Sequence, residues 1–102
     1  MSTYAVARII VRYGKLPQFM GAMAMLVPIM EDLGWRLDAS FQTIIGNFHE
    51  VYDIWELPDA NAVGAGLGAA AADPRFAAVG PLLAESIESE SLSVVVKTPF
   101  SG

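Results

Sequence analysis

The stretch WRLDASFQTIIGNFHEVYDIWEL, residues 35–57, decides the fold of this chain. Residues 35–45 alternate between apolar and polar side chains, which predicts a strand. Gly46-Asn47 is a two-residue turn signal suited to a type II′ hairpin, and residues 48–57 predict the returning strand. The stretch therefore predicts two antiparallel strands joined by a tight turn.

Further strands and helices are predicted on both sides of this hairpin. Residues 60–72 are rich in alanine but contain three glycines, so this segment is either a weak helix or a mobile lid. Pro28 predicts a kink or a break in the helix that contains it. The predicted elements outside the hairpin are strand 3–12, helix 16–33, helix 60–72, helix 75–88 and strand 92–97.

The order of these elements predicts an α+β domain. Strand, helix, strand, strand, helix, strand is the split β-α-β arrangement of ferredoxin-like domains. Right-handed crossovers place the helices on one face of the sheet. The opposite face either meets water or is covered by the same face of a second copy. We expect the second arrangement, a homodimer that forms a dimeric α+β barrel.

Composition limits the classes of partner and compartment. The 102 residues, 54% of them hydrophobic, fit a single domain over 1–102. A net charge of −5 with six basic residues argues against nucleic acid and against anionic membranes as partners. The chain has no cysteine, which excludes thiolate metal sites and is compatible with a cytoplasmic location. We also expect no signal peptide, since the first residues lead straight into a strand.

Pairing of the first strand with residues 48–57 predicts where a site would lie. If Arg8 faces Asp53, then Ala5, Ala7 and Ile9 form a small apolar face beneath the helices. The other face carries polar and aromatic side chains and, in the dimer, lines a chamber for a small-molecule ligand or substrate. The site predicted on that face comprises Tyr4, Arg8, Arg12, Ser40, Gln42, His49, Asp53 and Trp55.

Three of these residues are candidate catalytic groups. His49 is the only histidine and would act as a general base or orient the substrate; the alternatives are a surface histidine after the turn or a haem ligand. Arg8 and Asp53 either form a structural salt bridge or hold a substrate anion on the guanidinium. Trp55 either stacks on a flat substrate or belongs to the dimer interface. Tyr4, Arg12, Ser40 and Gln42 are the remaining candidate substrate contacts.

Other patterns favour structural roles. Trp35 falls on the face assigned to the helices and is interpreted as core. The methionines at helical spacing, Met20, Met23, Met25 and Met30, are interpreted as core or dimer packing. The acidic residues Glu85, Glu88 and Glu90 are interpreted as a solvated helix end. We find no metal-ligand or nucleotide-binding motif and expect no cofactor.

The sequence resembles the NIPSNAP-like family over residues 4–57. The resemblance lies in Gly34-Trp35-Arg36-Leu37, in Thr43-Ile44-Ile45-Gly46 and in the run from His49 to Glu56. It implies the dimeric α+β barrel fold, whose superfamily includes cofactor-free monooxygenases, polyketide cyclases and haem-degrading enzymes. Short chains of this kind also resemble HapK-type proteins of prodigiosin-like pigment biosynthesis. The family implies no agreed set of catalytic residues.

Three functions are compatible with these features. The first is a cofactor-free monooxygenase or cyclase of secondary metabolism, in which a positioned base removes a proton from an aromatic, polyketide-like or pyrrole-like substrate. The second is a non-catalytic ligand-binding or chaperone-like accessory protein. The third is a structural dimer whose chamber is filled by its own side chains.

Overall fold

The computed structural model describes residues 2–102, so Met1, the first residue of the expected domain, lies outside the described part. The chain forms a four-stranded antiparallel sheet with three helices, in the order β-α-β-β-α-α-β. The elements are β1 (Thr3–Val11), α1 (Leu16–Asp32), β2 (Arg36–Gln42), β3 (Glu50–Leu57), α2 (Asn61–Ala72), α3 (Phe76–Ser86) and β4 (Ile87–Val95). The strand order β2-β3-β1-β4 confirms the predicted ferredoxin-like α+β fold.

One face of the sheet packs beneath the helices. Along β1 every second residue is buried, and Ala5 and Ala7 let the helices approach the middle of the sheet closely. Phe19 of α1 packs into the part of the core that contains Ala7, while Ala70 of α2 packs into the part that contains Ala5 and Leu57. The predicted face of β1 is therefore confirmed.

The helices follow the predicted segments with one difference. Helix α1 continues past Pro28 to Asp32, so of the kink or break predicted at that proline the break does not occur. The chain turns out of α1 at Gly34, whose φ of +94° suits glycine. Residues 61–72 form helix α2, and the break at Asp73-Pro74 separates it from α3. No helix within residues 2–102 combines the length and the apolar character that crossing a membrane requires.

The register between β1 and β3 differs from the prediction by one residue. Arg8 lies opposite Tyr52, and Asp53 lies opposite Ala7. Because side chains alternate between faces, this shift transfers Asp53 and Trp55 from the open face to the face beneath the helices. The predicted pairing of Arg8 with Asp53 is wrong, and Asp53 and Trp55 do not lie on the face on which the chamber is predicted.

The connection between β2 and β3 is longer than the predicted two-residue turn. Strand β2 ends at Gln42 and β3 begins at Glu50, so residues 43–49 form a loop. Gly46 has a φ of +122° within it. Before this loop, Ser40 of β2 pairs with Asp53 of β3, and Gln42 pairs with Val51. An irregularity between Leu37 and Ala39 places Leu37, instead of Asp38, opposite Trp55.

Candidate functional site

A cavity of about 390 Å³ lies between the sheet and the three helices. Its floor comes from β1, β3 and β4, and its walls come from α1, α2 and α3. The lining is mostly apolar, and the only charged side chains in it, among residues 2–102, are those of Asp53 and Glu90. A largely apolar cavity of this size with a few polar groups is the usual form of a small-molecule site.

Asp53 is the buried acid of the cavity. It lies on β3 and is only 2% exposed, and one carboxylate oxygen, Oδ1, accepts a hydrogen bond of 2.6 Å from the hydroxyl of Ser40. No other residue in the described part of the chain bonds to the carboxylate. No fully buried side-chain oxygen in that part lacks a partner, so the other oxygen keeps some accessible surface, and Asp53 belongs to the cavity lining.

Burial changes the acidity of Asp53. Loss of water around the carboxylate raises the pKa of Asp53, and the hydrogen bond from Ser40 lowers it by less. No basic side chain faces it in the cavity lining. The ionised form is therefore a stronger base than an ordinary aspartate, and the protonated form persists to higher pH.

Glu90 is the second acid of the cavity. It lies on β4 opposite Ile9 of β1, on the same face of the sheet as Asp53. Its side chain remains exposed, so it lies where the cavity meets solvent. Partial burial raises the pKa of Glu90, and the nearby charge of Asp53 raises it further. Glu90 is therefore a weaker acid than an ordinary glutamate.

Two tryptophans form one end of the cavity. The rings of Trp35 and Trp55 meet edge to face, with centroids 5.9 Å apart and an angle of 67°. The indole N–H of Trp35 donates a hydrogen bond of 3.1 Å to the backbone oxygen of Ala62 in α2. Gly66 packs directly on this indole, since a Cβ there would lie 2.7 Å from Cδ1 of Trp35. Helix α2 is therefore fitted closely against the aromatic wall.

The structure brings three of the eight predicted site residues together. Asp53 and Trp55 line the cavity, and Ser40 bonds to Asp53. They meet beneath the helices, whereas the prediction placed them on the open face of the sheet. The one-residue difference in register accounts for this change of location.

Arg8 and Tyr4 lie on the open face of the sheet, away from the cavity. Arg8 forms an ion pair with Glu50, and the hydroxyl of Tyr52 donates a hydrogen bond of 2.7 Å to the same carboxylate. Tyr4 has the ammonium of Lys97 5.7 Å from its ring centre. Arg8 is thus held by Glu50, and its predicted contact with Asp53 is absent.

The other predicted residues lie at the margins of the sheet. His49 is in the loop before β3, with its ring 5.3 Å from that of Tyr13 between centroids. Arg12 follows β1 and is exposed, and Gln42 is exposed at the end of the edge strand β2. None of these three lines the cavity, and their predicted roles in a chamber on the open face stay predictions.

Glu90 and Trp35 are the site residues that the sequence interpretation missed. Glu90 was assigned to a solvated helix end because the last strand was predicted to begin at Leu92, whereas β4 begins at Ile87. Glu90, Leu92 and Val94 alternate in the sequence and pair with Ile9, Ala7 and Ala5, so a two-residue period would have placed Glu90 on the covered face. Trp35 was correctly assigned to the core, but it also lines the cavity.

Fold and cavity together define an α+β ferredoxin-like domain with a small-molecule-sized cavity under its helices. The sequence profile of the NIPSNAP family matches residues 4–102. The chain therefore belongs to the NIPSNAP family, and the predicted resemblance is confirmed. No curated protein matches the chain.

Solved structures share this fold at low sequence identity. A NIPSNAP domain protein from Burkholderia xenovorans is 21% identical with a TM-score of 0.84, covering 98% of each chain. A NIPSNAP family protein of unknown function from Agrobacterium tumefaciens is 20% identical with a TM-score of 0.88, over 98% of this chain and 91% of that one. A protein from Bordetella bronchiseptica described as a "putative antibiotic biosynthesis monooxygenase" is 14% identical with a TM-score of 0.78, over 95% of this chain and 97% of that one.

Proposed function

We propose that this protein is a small-molecule enzyme of the cofactor-free monooxygenase or cyclase type, acting on an aromatic, polyketide-like or pyrrole-like substrate. The observation that carries the proposal is Asp53, a buried carboxylate with one oxygen free toward an apolar cavity and a raised pKa. Perturbed acids in clefts are typical of catalytic bases. The tryptophan wall offers a flat apolar surface on which a ring can lie.

The proposed first step is removal of a proton. A C–H group made acidic by a neighbouring carbonyl or ring gives its proton to the free oxygen of Asp53, and the electron pair stays on the substrate carbon. In a cyclase this carbanion attacks a carbonyl carbon of the same molecule, and the new alkoxide takes the proton back. In a monooxygenase a methylene and O₂ give a ketone and water, so that O₂ is the oxidant.

Two lines of support come from outside the cavity. One structural neighbour, which superposes with a TM-score of 0.78, is described as a "putative antibiotic biosynthesis monooxygenase", and this description supports the proposed class of reaction. A cytoplasmic location, which is part of the same proposal, is compatible with a chain without cysteine. The matches described above do not support the narrower link to prodigiosin-like pigment biosynthesis, and we do not propose it.

Asp53→Asn tests the proposal. Purified protein is incubated in air with a panel of anthrones, β-dicarbonyl compounds and pyrroles, with product formation and O₂ uptake followed together. We expect Asp53→Asn to lower turnover by about a hundredfold or more, because the amide cannot accept the proton. Asp38→Asn, the same change at an exposed position outside the cavity, serves as the control. Equal turnover by both variants would refute the mechanism, and binding without turnover would favour an accessory protein.

The predicted roles of His49 and Arg8 are tested in the same assay. Both lie away from the cavity, at the end of the sheet and on its open face. If the chemistry occurs at Asp53 alone, His49→Ala and Arg8→Ala retain turnover. If either variant loses turnover while it folds normally, the catalytic assignment predicted from the sequence is recovered.

We also propose that the open face of the sheet pairs with a second copy of the chain. That face exposes apolar side chains, including Phe41 at 56% and Val95 at 41%, beside the apolar Ile54. Ion pairs of Arg8 with Glu50 and of Arg36 with Glu56 lie among them. Light scattering after size-exclusion chromatography should give the molar mass of a dimer for the wild-type protein. Ile54→Asp should give the mass of a monomer, because it places a charge in the dimer interface. A monomeric wild-type protein would rule the homodimer out.

A further inference from the structure

The charges of the cavity are all of one sign. Asp53 lies on β3 and Glu90 on β4, on either side of β1, and both carboxyl groups belong to the cavity lining. The lining contains no arginine, lysine or histidine among residues 2–102. Asp53 is only 2% exposed. The carboxylate oxygen that does not bind Ser40 has no partner in the described part of the chain. Such a carboxyl group must bind a ligand, a proton or water, and a ligand that carries a hydrogen-bond donor meets this requirement.

The basic side chains that could have neutralised the cavity are used elsewhere. Arg8 is paired with Glu50, and Arg36 with Glu56 and Asp38. Arg75 is paired with Asp73 and Asp32. These ion pairs lie on the open face of the sheet or around the helix ends, so no arginine of these three is directed to Asp53 or Glu90. The cavity therefore keeps its negative character.

We propose that the cavity takes ligands with a flat apolar body and a positively charged nitrogen, and that it rejects carboxylates of the same size. The nitrogen would lie between Asp53 and Glu90 and donate hydrogen bonds to both, while the apolar body rests on Trp35 and Trp55. Charge-assisted hydrogen bonds of this kind are about twice as strong as neutral ones.

The same charge arrangement specifies the substrate class of the proposed reaction. This inference rests on the proposed function in taking the cavity as the place where the proton is removed. Proton removal leaves negative charge on the substrate, and no basic side chain of the lining is present to stabilise it. A cationic nitrogen near the reacting carbon supplies that stabilisation from the substrate itself. Nitrogen-containing rings and amines therefore fit the cavity better than acidic polyketides.

Three compounds with one apolar body test the charge preference. Isothermal titration calorimetry compares phenethylamine, phenethyl alcohol and hydrocinnamate at neutral pH. We expect the amine to bind about tenfold to a hundredfold more tightly than the alcohol, and hydrocinnamate to bind weakest. Hydrocinnamate binding as tightly as the amine would overturn the proposal, as would a failure of all three compounds to bind.

Variants of Asp53 and Glu90 test whether these two acids cause the tighter binding of the amine. Glu90→Gln and Asp53→Asn should each reduce the advantage of the amine over the alcohol, and the double variant should abolish it. Glu85→Gln, the same change on α3 outside the cavity lining, should leave the advantage unchanged. Thermal unfolding of each variant shows that it is folded. An advantage that survives in the double variant would overturn the proposal.

Binding and turnover separate this inference from the proposed function. If Asp53→Asn abolishes turnover while the wild-type cavity shows no preference for the amine, the result supports the proposed function and refutes the charge selectivity. If the preference for the amine is present and depends on both acids, but no compound is turned over, the selectivity stands and the catalytic proposal falls.

Discussion

The two faces of the sheet differ in whether their buried acids have a positively charged partner. On the open face, Arg8 and the hydroxyl of Tyr52 both bind the carboxylate of Glu50. On the covered face, Asp53 receives one hydrogen bond from Ser40 and has no cation beside it. Glu50 and Asp53 are three residues apart on the same strand, so the difference comes from the face and from the neighbours across the sheet.

The contrast separates acids that hold the structure from an acid available for chemistry. The hydrogen bond from Tyr52, together with that from Arg8, lowers the pKa of Glu50. Burial raises the pKa of Asp53. A carboxylate with its partners inside the protein is occupied, whereas one that lacks them must bind a ligand, a proton or water. This contrast is the reason for placing the proposed chemistry on the covered face.

The largest expected effect compares two isoleucines that are adjacent on β1. Ile9 is 2% exposed beneath the helices, and Ile10 is partly exposed on the open face. Ile9→Ala should lower the free energy of unfolding by about 2–4 kcal/mol, because it leaves a cavity in the core. Ile10→Ala should lower it by less than half as much at low protein concentration. Urea denaturation measures both, and equal losses would contradict the assignment of the faces.

A smaller effect tests how closely α2 is fitted to the covered face. A Cβ at Gly66 would lie 2.7 Å from Cδ1 and 3.1 Å from Cε2 of Trp35, which is itself 3% exposed and bonded to Ala62. Gly66→Ala should therefore destabilise the protein by about 1–3 kcal/mol through overpacking. Gly68 has open space around it in the same helix, so Gly68→Ala should add up to about 1 kcal/mol of stability. Thermal unfolding of the two variants should give shifts of opposite sign.

The smallest effect is the opposite pH dependence of the two acids. The raised pKa of Asp53 means that the folded protein binds this proton more tightly than the unfolded chain does. Stability from this group is present below the ordinary aspartate pKa and is lost as the pH rises through the raised one. Asp53→Asn should therefore gain stability relative to wild type as the pH increases from the acidic range to neutrality.

The contribution of Glu50 to stability should depend on pH in the opposite direction to that of Asp53. Its folded pKa is lowered, so its stabilisation is present above the ordinary glutamate pKa and is lost as the pH falls through the lowered one. Glu50→Gln should be less stable than wild type at neutral pH and should approach it in acid. Urea denaturation over a pH series measures both variants. Parallel pH profiles for the two would show that the faces do not differ as described.

The element order and the face of β1 could be predicted because both depend on local patterns. Ala5, Ala7 and Ile9 are small or apolar, whereas Tyr4 and Arg8 alternate with them. The register of β3 could not be predicted in this way, because both faces of that strand combine acids with apolar residues. Val51, Asp53 and Trp55 form one set, and Glu50, Tyr52, Ile54 and Glu56 form the other. Arg8 could pair with an acid of either set, and the structure pairs it with Glu50.

The candidate site was predicted only in part for the same reason. Asp53, Ser40 and Trp55 were selected as polar or aromatic members of one strand pair, and that pairing holds in the structure. Strand alternation alone could not show that these residues lie on the face that the helices cover. The cavity depends on side chains from three helices that are distant in the sequence, such as Met30, Leu67 and Leu83, and no spacing rule connects them.

The pair of indoles at the end of the cavity has an optical consequence. Trp35 and Trp55 are the only tryptophans of the chain, and both line the cavity. Their ring centres are 5.9 Å apart. All of the intrinsic tryptophan fluorescence therefore originates at one wall of the cavity, so quenching or a shift in emission reports its occupancy directly, without a label.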